Sequence, residues 1–224
     1  MNKEQKIIDS WNANAANWIE IIGNNGIESR RLVTNQAIVD IVVNCNPASV
    51  LDVGCGEGWL AKELQDKGIA MTGVDVIPEL IEKAKQKVKG DFIVAAYDDI
   101  VSEKIVFSKL FDAIVINFAL IAKESTENLL ASIPRYLAPG GKLFIQTLHP
   151  DGRRSLNDYT TGWKEGSWDG LGEQFTKPYQ WYFRTLEDWL ALLGKSGFSK
   201  IKVTEVLHPV SAKQLSVIFC CQIK

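Results

Sequence analysis

VLDVGCGEGWLAKEL, at residues 50–64, sets three glycines between an apolar run and a helix-like pattern. A strand that ends in Gly54, Gly56 and Gly58 and passes directly into a helix exposes bare backbone and free helix N–H groups to a ligand. Large side chains would block that approach. Close packing of a helix on a strand also requires glycine, so the turn alone leaves ligand binding and packing as alternatives.

Short apolar runs alternate with helix-like patterns from Pro47 to about His149, which is typical of βαβ units around a parallel sheet. A further helix and two strand-like runs close the chain. This order predicts an α/β fold with a doubly wound seven-stranded sheet, mostly parallel, with a last antiparallel strand and helices on both faces. The predicted strands are SVLDV, AMTGVDV, DFIVAA, FDAIVIN and KLFIQTLH, with two more near residues 200–207 and 214–223.

One domain accounts for the 224 residues. Residues 1–46 are predicted to form a helical cap, residues 47–148 the ligand-binding core, and residues 185–224 a closing helix and two strands. The intervening residues 149–184 lack clear periodicity but hold eight aromatic side chains and five glycines. That content is too aromatic for a disordered linker, so we expect an ordered insertion that covers the site like a lid.

The composition is that of an ordinary globular protein, with 46% hydrophobic and 23% charged residues. A net charge of −2 gives no electrostatic footprint for nucleic acid or an anionic membrane. The longest near-continuous apolar run, AIVINFALIA, is about half a membrane span, and the N-terminus lacks a signal-peptide pattern. The four cysteines form no CxxC pair, so we predict a cytoplasmic protein without disulfides or a metal site.

Asp75 ends the second predicted strand, 19 residues after Gly56, where doubly wound folds place an acid that accepts hydrogen bonds from ribose hydroxyls. This position indicates a nucleoside ligand. The GxGxG spacing differs from the GxGxxG of dinucleotide folds, and Asp52 would be an awkward neighbour for a pyrophosphate. A cationic or phosphate-free nucleoside fits better, so a nicotinamide-dependent oxidoreductase is disfavoured. No GK[ST] follows the glycines to hold a triphosphate.

Four segments together resemble class I S-adenosylmethionine-dependent methyltransferases of the broad small-molecule type. They are VLDVGCGEG, GVDVIPELIEKAK, FDAIVINFAL and LAPGGKLFIQTLHP. The resemblance covers about residues 47–148. It implies S-adenosyl-L-methionine as the cofactor and in-line methyl transfer to a small molecule. A module that binds this cofactor without transferring its methyl group is the alternative.

The resemblance also assigns cofactor contacts. Asp52 would hold the amino end of the methionine part, Asp75 the ribose, and Asn117 and Phe118 would flank the sulfonium. An acid often found at the end of the third strand is replaced by Ala96, which moves adenine recognition to the Tyr97 backbone and Asp98. A basic residue before the first strand would pair with the carboxylate, and either Arg31 or Arg30 meets that description. The full predicted set is Arg31, Asp52, Gly54, Cys55, Gly56, Asp75, Val76, Tyr97, Asp98, Asn117 and Phe118.

The methyl acceptor would bind beside the fifth strand. His149 and His208 follow two strands that are expected to finish at the same sheet edge, and each is followed by proline. We predict substrate contact for His149, with a role as general base as the stronger form of that hypothesis. A loop histidine turned by its proline is the alternative for both. The other predicted substrate contacts are Tyr159, Trp163, Trp181, Arg184 and His208, and a homodimer is compatible with the sequence.

Overall fold

The structure is a computed structural model that describes residues 2–223, apart from the side chain of Ser155. Its strands are β1 (Ser49–Val53), β2 (Ala70–Asp75), β3 (Gly90–Val94), β4 (Phe111–Asn117), β5 (Leu137–Leu148), β6 (Gly162–Lys164), β7 (Trp181–Phe183), β8 (Phe198–Leu207) and β9 (Gln214–Ile223). Its α-helices are α1 (Lys3–Gly23), α2 (Asn35–Val43), α3 (Trp59–Gln65), α4 (Pro78–Lys87), α5 (Tyr97–Val101), α6 (Glu124–Ser132) and α7 (Leu186–Lys195).

Seven strands form one sheet in the order β3-β2-β1-β4-β5-β9-β8. The first five pair in parallel, whereas β9 is antiparallel to both of its neighbours. β8 therefore runs in the same direction as β5. The predicted doubly wound sheet with a final antiparallel strand is confirmed. Its strand order reverses between β1 and β4, and the crevice beside the carboxyl ends of those strands is where such sheets bind ligands.

Helices cover both faces of this sheet. Every residue of β1 is buried, which explains why the strand reads as an almost continuous apolar run. Leu51 and Val53 pack in the core that α5, α6 and α7 share, whereas Val50 faces the core of α2, α3 and α4. Among the helices within residues 2–223, none has the length and apolar character needed to cross a bilayer.

α1 and residues 149–184 pack together, and we call these two segments the roof. The Trp168 indole donates a hydrogen bond to Ser10 Oγ at 2.9 Å. Asn14 exchanges two hydrogen bonds with the Thr176 backbone, at 2.7 and 2.8 Å. The Glu4 carboxylate accepts hydrogen bonds from the backbone N–H groups of residues 123–125, which lie at the N-terminus of α6. The roof is thus anchored to the core domain from both of its segments.

The insertion has more regular structure than its sequence indicates. It contains a 3₁₀ helix (Pro150–Leu156) and the two-stranded β6–β7 ladder, in which Gly162 pairs with Phe183. These elements are only three to seven residues long. Such lengths are too short to establish a hydrophobic period. The short helix α5 after β3 escaped prediction for the same reason.

Candidate functional site

The glycine turn links β1 to α3 and is fixed to β2 by its backbone. The N–H groups of Gly54 and Cys55 both donate to Val74 O, at 2.7 and 3.0 Å. Gly58 is the N-cap of α3, and all three glycines have positive φ angles, from +55° to +84°. These are left-handed conformations that glycine adopts without strain. The free N–H groups of the first turn of α3 therefore lie beside the end of β1.

Two of the three glycines also have a packing reason. A Cβ on Gly54 would lie 2.4 Å from the Ala119 Cβ, and a Cβ on Gly58 would lie 2.9 Å from the Ala84 Cβ. Gly56 differs, since the nearest atom to its Cβ would be Trp18 Nε1 at 3.9 Å. Packing therefore explains Gly54 and Gly58, and the space beside Gly56 is consistent with a ligand position.

Asp75 is held rigidly at the end of β2. Its Oδ2 accepts a hydrogen bond from Gly56 N–H and its Oδ1 accepts one from Ile77 N–H, both at 2.9 Å. Burial raises the pKa of Asp75 to about 6, the two backbone donors oppose that rise, and nearby Glu57 adds to it. Each carboxylate oxygen retains a lone pair for a further donor. The predicted ribose acid thus also shapes the glycine turn.

Asp52 lies beneath the same turn and is 1% exposed. In the part of the chain that the structure describes, neither of its carboxylate oxygens has a hydrogen-bond partner. Burial, reinforced by the charges of Asp75 and Glu57, raises the pKa of Asp52 to about 8. Glu57 is also buried, and its Oε1 lies 3.3 Å from Lys87 Nζ. Three acids close together make this cleft suited to a ligand that carries positive charge.

Arg30 brings a second positive charge, besides Lys87, close to Glu57. Its guanidinium carbon lies 4.8 Å from the Trp59 ring centre and 5.5 Å from the Trp18 ring centre. Burial lowers the pKa of Arg30 to about 10, and Glu57 opposes that shift. Within residues 2–223 its Nη2 is a buried donor without a partner. Arg31 is exposed, so the geometry favours Arg30 over the predicted Arg31.

A π-helical turn (Arg30–Thr34) precedes α2 and determines which of the two arginines, Arg30 or Arg31, lies in the cleft. The backbone N–H of Asn35 donates to Arg30 O, which is the i→i+5 hydrogen bond of a π-helix. Arg30 Nε also donates to Asn35 Oδ1 at 3.1 Å. Single π-turns occur frequently at functional sites.

The segment after β4 closes over the glycine turn. Phe118 adopts a left-handed backbone conformation, with φ +54°, and its N–H donates to Gln146 O at 2.8 Å. Such a conformation is strained for a large side chain. Tyr97 OH donates to Ala119 O at 3.0 Å, so the Tyr97 side chain, and not only its backbone, belongs to the site. Asn117 Oδ1 is buried and unpartnered among the described residues.

The remaining predicted cofactor contacts differ in how they face the cleft. Cys55 is buried, and its Sγ would lie 2.9 Å from a Cβ on Gly73, so its side chain packs into the core. Only the Cys55 backbone is therefore available to a ligand. Val76 is half-buried behind Asp75, and Asp98 is exposed in the first turn of α5.

The two histidines do not share a pocket. His149 Nδ1 accepts a hydrogen bond from Asp151 N–H at 3.2 Å, and its Nε2 lies 3.5 Å from Glu205 Oε1. Nδ1 is thus occupied as an acceptor in this arrangement, and the role of His149 as a general base stays a prediction. His208 Nδ1 accepts from the N–H groups of Val210 and Ser211. His208 thus closes the β8–β9 hairpin, as the loop alternative predicts.

The predicted substrate contacts of the insertion already have structural partners. Tyr159 OH donates to Glu187 and accepts from Leu186 N–H, so it binds the start of α7. Arg184 is buried and donates to Ala122 O and Lys123 O. The Trp181 indole donates to Glu165 O, and Trp163 packs edge to face on Tyr182. These four side chains hold the roof together, and the structure does not direct them into the cleft.

Sequence reasoning missed four residues of the site. Trp18 overhangs Gly56, and Glu57 completes the acid cluster. Gln146 is buried level with Asn117 on the next strand, and Thr34 is buried against Gln146. Glu57 lies inside the glycine motif itself. Its position near Asp52, and near the turn that Asp75 is predicted to face, was the one signal in the sequence that Glu57 belongs to the site. The others are brought to the site by tertiary packing.

A doubly wound sheet with a glycine turn and acidic strand ends at its switch point is an architecture typical of nucleotide- and nucleoside-binding α/β domains. The chain belongs to the methyltransferase domain family, whose model matches residues 17–203. It is 34% identical over 107 residues to a ubiquinone biosynthesis O-methyltransferase of Xanthomonas oryzae pv. oryzae, which covers 46% of this chain and 44% of that relative. The chain thus spans less than half the length of that relative.

Solved structures share the fold over almost the whole chain. The DhpI–SAM–HEP complex superposes with a TM-score of 0.68 at 15% identity, covering 98% of this chain and 97% of the other. An S-adenosylmethionine-dependent methyltransferase from Clostridium acetobutylicum superposes with a TM-score of 0.66 at 14% identity, covering 93% and 97%. At these identities the likeness establishes the fold.

Proposed function

We propose that this protein transfers the methyl group of S-adenosyl-L-methionine to a small-molecule acceptor. The observation that carries the proposal is the row of polar side chains at neighbouring strand ends. Asp75, Asp52 and Asn117 end or nearly end β2, β1 and β4, and Arg30 brings a positive charge close to Glu57 from the π-turn. Membership of the methyltransferase family supports the same reaction class.

The charges of the cleft fit this cofactor. S-adenosylmethionine carries an ammonium, a sulfonium and a carboxylate. The buried, unpartnered oxygens of Asp52 suit the ammonium, and the free Nη2 of Arg30 suits the carboxylate. Asp75 retains lone pairs for the ribose hydroxyls. A dinucleotide fits less well, because its pyrophosphate would lie beside Asp52 and Glu57.

The other contacts follow from their positions around the turn. We assign the methionine part to the backbone of Gly54, Cys55 and Gly56, and the adenine to Val76, the Tyr97 backbone and Asp98. Asn117 and Phe118 would flank the sulfonium. Arg30 replaces Arg31 as the partner of the carboxylate.

When bound, the cofactor supplies an activated methyl group on a sulfur that leaves as a neutral thioether. The work of this chain is then to hold the acceptor in line and to exclude water. Such positioning contributes up to about 7–11 kcal/mol to lowering a barrier. The roof supplies the exclusion, since Trp11 contacts both Trp18 above the glycine turn and Trp168 of the insertion, with ring centres 5.0 and 4.9 Å apart. Positioning can carry the mechanism without a general base, and that role of His149 stays a prediction.

The acceptor and the compartment belong to this proposal too. A small molecule matches a cleft closed by a packed roof, and four free cysteines suit a reducing cytosol. The possible homodimer remains a prediction.

The test of the proposed function is a labelling experiment. The protein is incubated with S-adenosylmethionine labelled in its methyl group and a microbial metabolite extract, and mass spectrometry identifies the molecule that gains the label. Calorimetry with S-adenosylhomocysteine and with NAD runs in parallel. Tight binding of S-adenosylhomocysteine without any labelled product would favour the binding module instead. Preferential binding of NAD would contradict the cofactor assignment.

The neighbouring arginines offer a matched pair of variants. Arg30→Gln is expected to weaken S-adenosylhomocysteine binding by about tenfold or more, because a hydrogen bond to a charged group contributes about 1.5–3 kcal/mol. Arg31→Gln removes the same charge from an exposed position and is expected to change the affinity less than threefold. Isothermal calorimetry on both variants measures the difference. The reverse ranking would restore Arg31 to the site.

A further inference from the structure

Buried polar atoms without partners cluster on one face of the sheet. Among the described residues nine such side-chain atoms occur, and seven of them belong to residues around the cleft. The cofactor accounts for those of Asp52, Asn117 and Arg30, and Glu57 belongs to the acid cluster. Of the seven atoms around the cleft, two remain without an assigned ligand. They are Gln146 Oε1 and Thr34 Oγ1.

The strand register places Gln146 next in the row of polar strand ends. Asp52 is level with Val115, and Asn117, two residues further along β4, is level with Gln146 on β5. Residues that pair across strands, or lie two apart along a strand, face the same side of the sheet. Asp75, Asp52, Asn117 and Gln146 therefore face the same side of the sheet in a row across β2, β1, β4 and β5, in which Asp52 lies two residues behind its neighbours. Gln146 lies about one strand spacing, about 4.8 Å, beyond Asn117.

The amide of Gln146 is oriented by its neighbours. Its Nε2 donates to Thr34 O at 3.1 Å and to Ser216 Oγ at 2.8 Å, which uses both of its hydrogens. Its Oε1 must then be the free acceptor. Gln146 is 1% exposed and Thr34 is 2% exposed, so water does not readily satisfy either atom. Buried polar atoms without partners are rare and costly unless a ligand supplies the missing bond.

We infer that Gln146 Oε1 and Thr34 Oγ1 form the subsite for the methyl acceptor, and that the acceptor presents a hydroxyl or amine hydrogen there. This inference rests on the proposed function, because the row places the subsite on the far side of Asn117 from the ribose acid. An amide oxygen accepts a hydrogen bond and repels an anion, so a carboxylate or phosphate does not fit against it. Gln146 and Thr34 bind and position the acceptor. An amide is too weak a base to take its proton.

Thr34→Val is the decisive variant. It replaces only the hydroxyl by a methyl group of the same size and leaves Thr34 O in place for Gln146. Since the hydroxyl has no partner among residues 2–223, its loss is expected to leave the melting temperature unchanged or higher. Affinity for S-adenosylhomocysteine is expected to stay within twofold. Label transfer from methyl-labelled S-adenosylmethionine into the metabolite extract is expected to fall by about two- to tenfold, the effect of one lost hydrogen bond.

Two further variants make the comparison specific. Thr126→Val removes another buried hydroxyl that lacks a partner in the described chain, but on α6 at the opposite face of the sheet, and is expected to transfer label at the wild-type rate. Thr34→Ser keeps the hydroxyl and is expected to restore transfer. Wild-type transfer by Thr34→Val would overturn this inference alone. Loss of S-adenosylhomocysteine affinity in Thr34→Val would assign the residue to the cofactor and overturn it as well. Absence of label from the wild-type reaction would overturn the proposed function and this inference together.

Discussion

Asp75→Ala is expected to weaken S-adenosylhomocysteine binding about a hundredfold or more. The variant removes two charge-assisted hydrogen bonds to the ribose, each contributing about 1.5–3 kcal/mol. It also frees the Gly56 N–H, which Asp75 Oδ2 now holds at 2.9 Å. Both effects act in the same direction, because the carboxylate that binds the sugar also sets the shape of the glycine turn. Isothermal calorimetry measures the loss.

Asp91→Ala is the matched control for this variant. Asp91 is an exposed aspartate of the neighbouring strand β3, so its removal changes the net charge equally without touching the cleft. We expect its affinity to match the wild type within twofold. A folded Asp75→Ala protein, judged by an intact thermal transition, that bound with wild-type affinity would refute the ribose assignment.

Affinity for S-adenosylhomocysteine is expected to rise by up to about a hundredfold between about pH 6 and about pH 8. The pKa of Asp52 in the ligand-free protein is raised to about 8, so its carboxyl group is mostly neutral at pH 6. The ligand ammonium pairs with the ionised form, and binding therefore releases a proton from Asp52 in this range. Because binding releases a proton, the affinity rises with pH, by at most tenfold per pH unit for one proton. Above about pH 8 the dependence flattens.

Calorimetry in two buffers of different ionisation enthalpy counts the released protons directly. We expect close to one proton at about pH 7 for the wild type and close to none for Asp52→Asn. The variant is also expected to bind almost as well as the wild type near pH 6 and far more weakly near pH 8, since only the ionised carboxylate differs from the amide. Equal proton release by both proteins would show that Asp52 does not meet the ammonium.

The same carboxyl group makes the ligand-free protein less stable at higher pH. The pKa of Asp52 is about 8 in the folded protein and 3.8 in the unfolded chain. The neutral carboxyl group therefore contributes to the free energy of unfolding in full below pH 3.8, and this contribution is lost as the pH rises through about 8. We expect the melting temperature of the wild type to fall between about pH 6 and pH 8.5 relative to that of Asp52→Asn. Saturating S-adenosylhomocysteine should remove the difference, because the ligand supplies the missing positive charge.

The parts of the site that the sequence predicted are those set by strand ends. Asp52, Asp75 and Asn117 could be predicted because each lies near the end of an apolar run. A glycine, a proline or a polar residue ends each of these runs. Parallel strands bring such ends to one edge whatever the loops do. The order of the central strands follows from the same βαβ pattern.

The parts that the sequence did not predict depend on local hydrogen bonds or on packing between distant segments. Arg30 and Arg31 are adjacent, and only the π-turn decides which one lies close to Glu57. The N–H of Asp151 occupies Nδ1 of His149. Trp18 reaches Gly56 from α1, a helix that begins 53 residues earlier in the chain. No periodicity within one segment reports contacts of these kinds.

The attachment of α1 to residues far along the chain has a consequence for biosynthesis. Ser10 and Asn14 bind Trp168 and Thr176, partners 158 and 162 residues away. α1 can pack on Ile77 and Leu80 as soon as they are made, but its bonds to the insertion must wait until Trp168 and Thr176 have been synthesised. A nascent chain that has β1 to β5 but not the insertion still lacks the closed roof over its glycine turn. Competence for methyl transfer should therefore arrive only when translation is nearly complete.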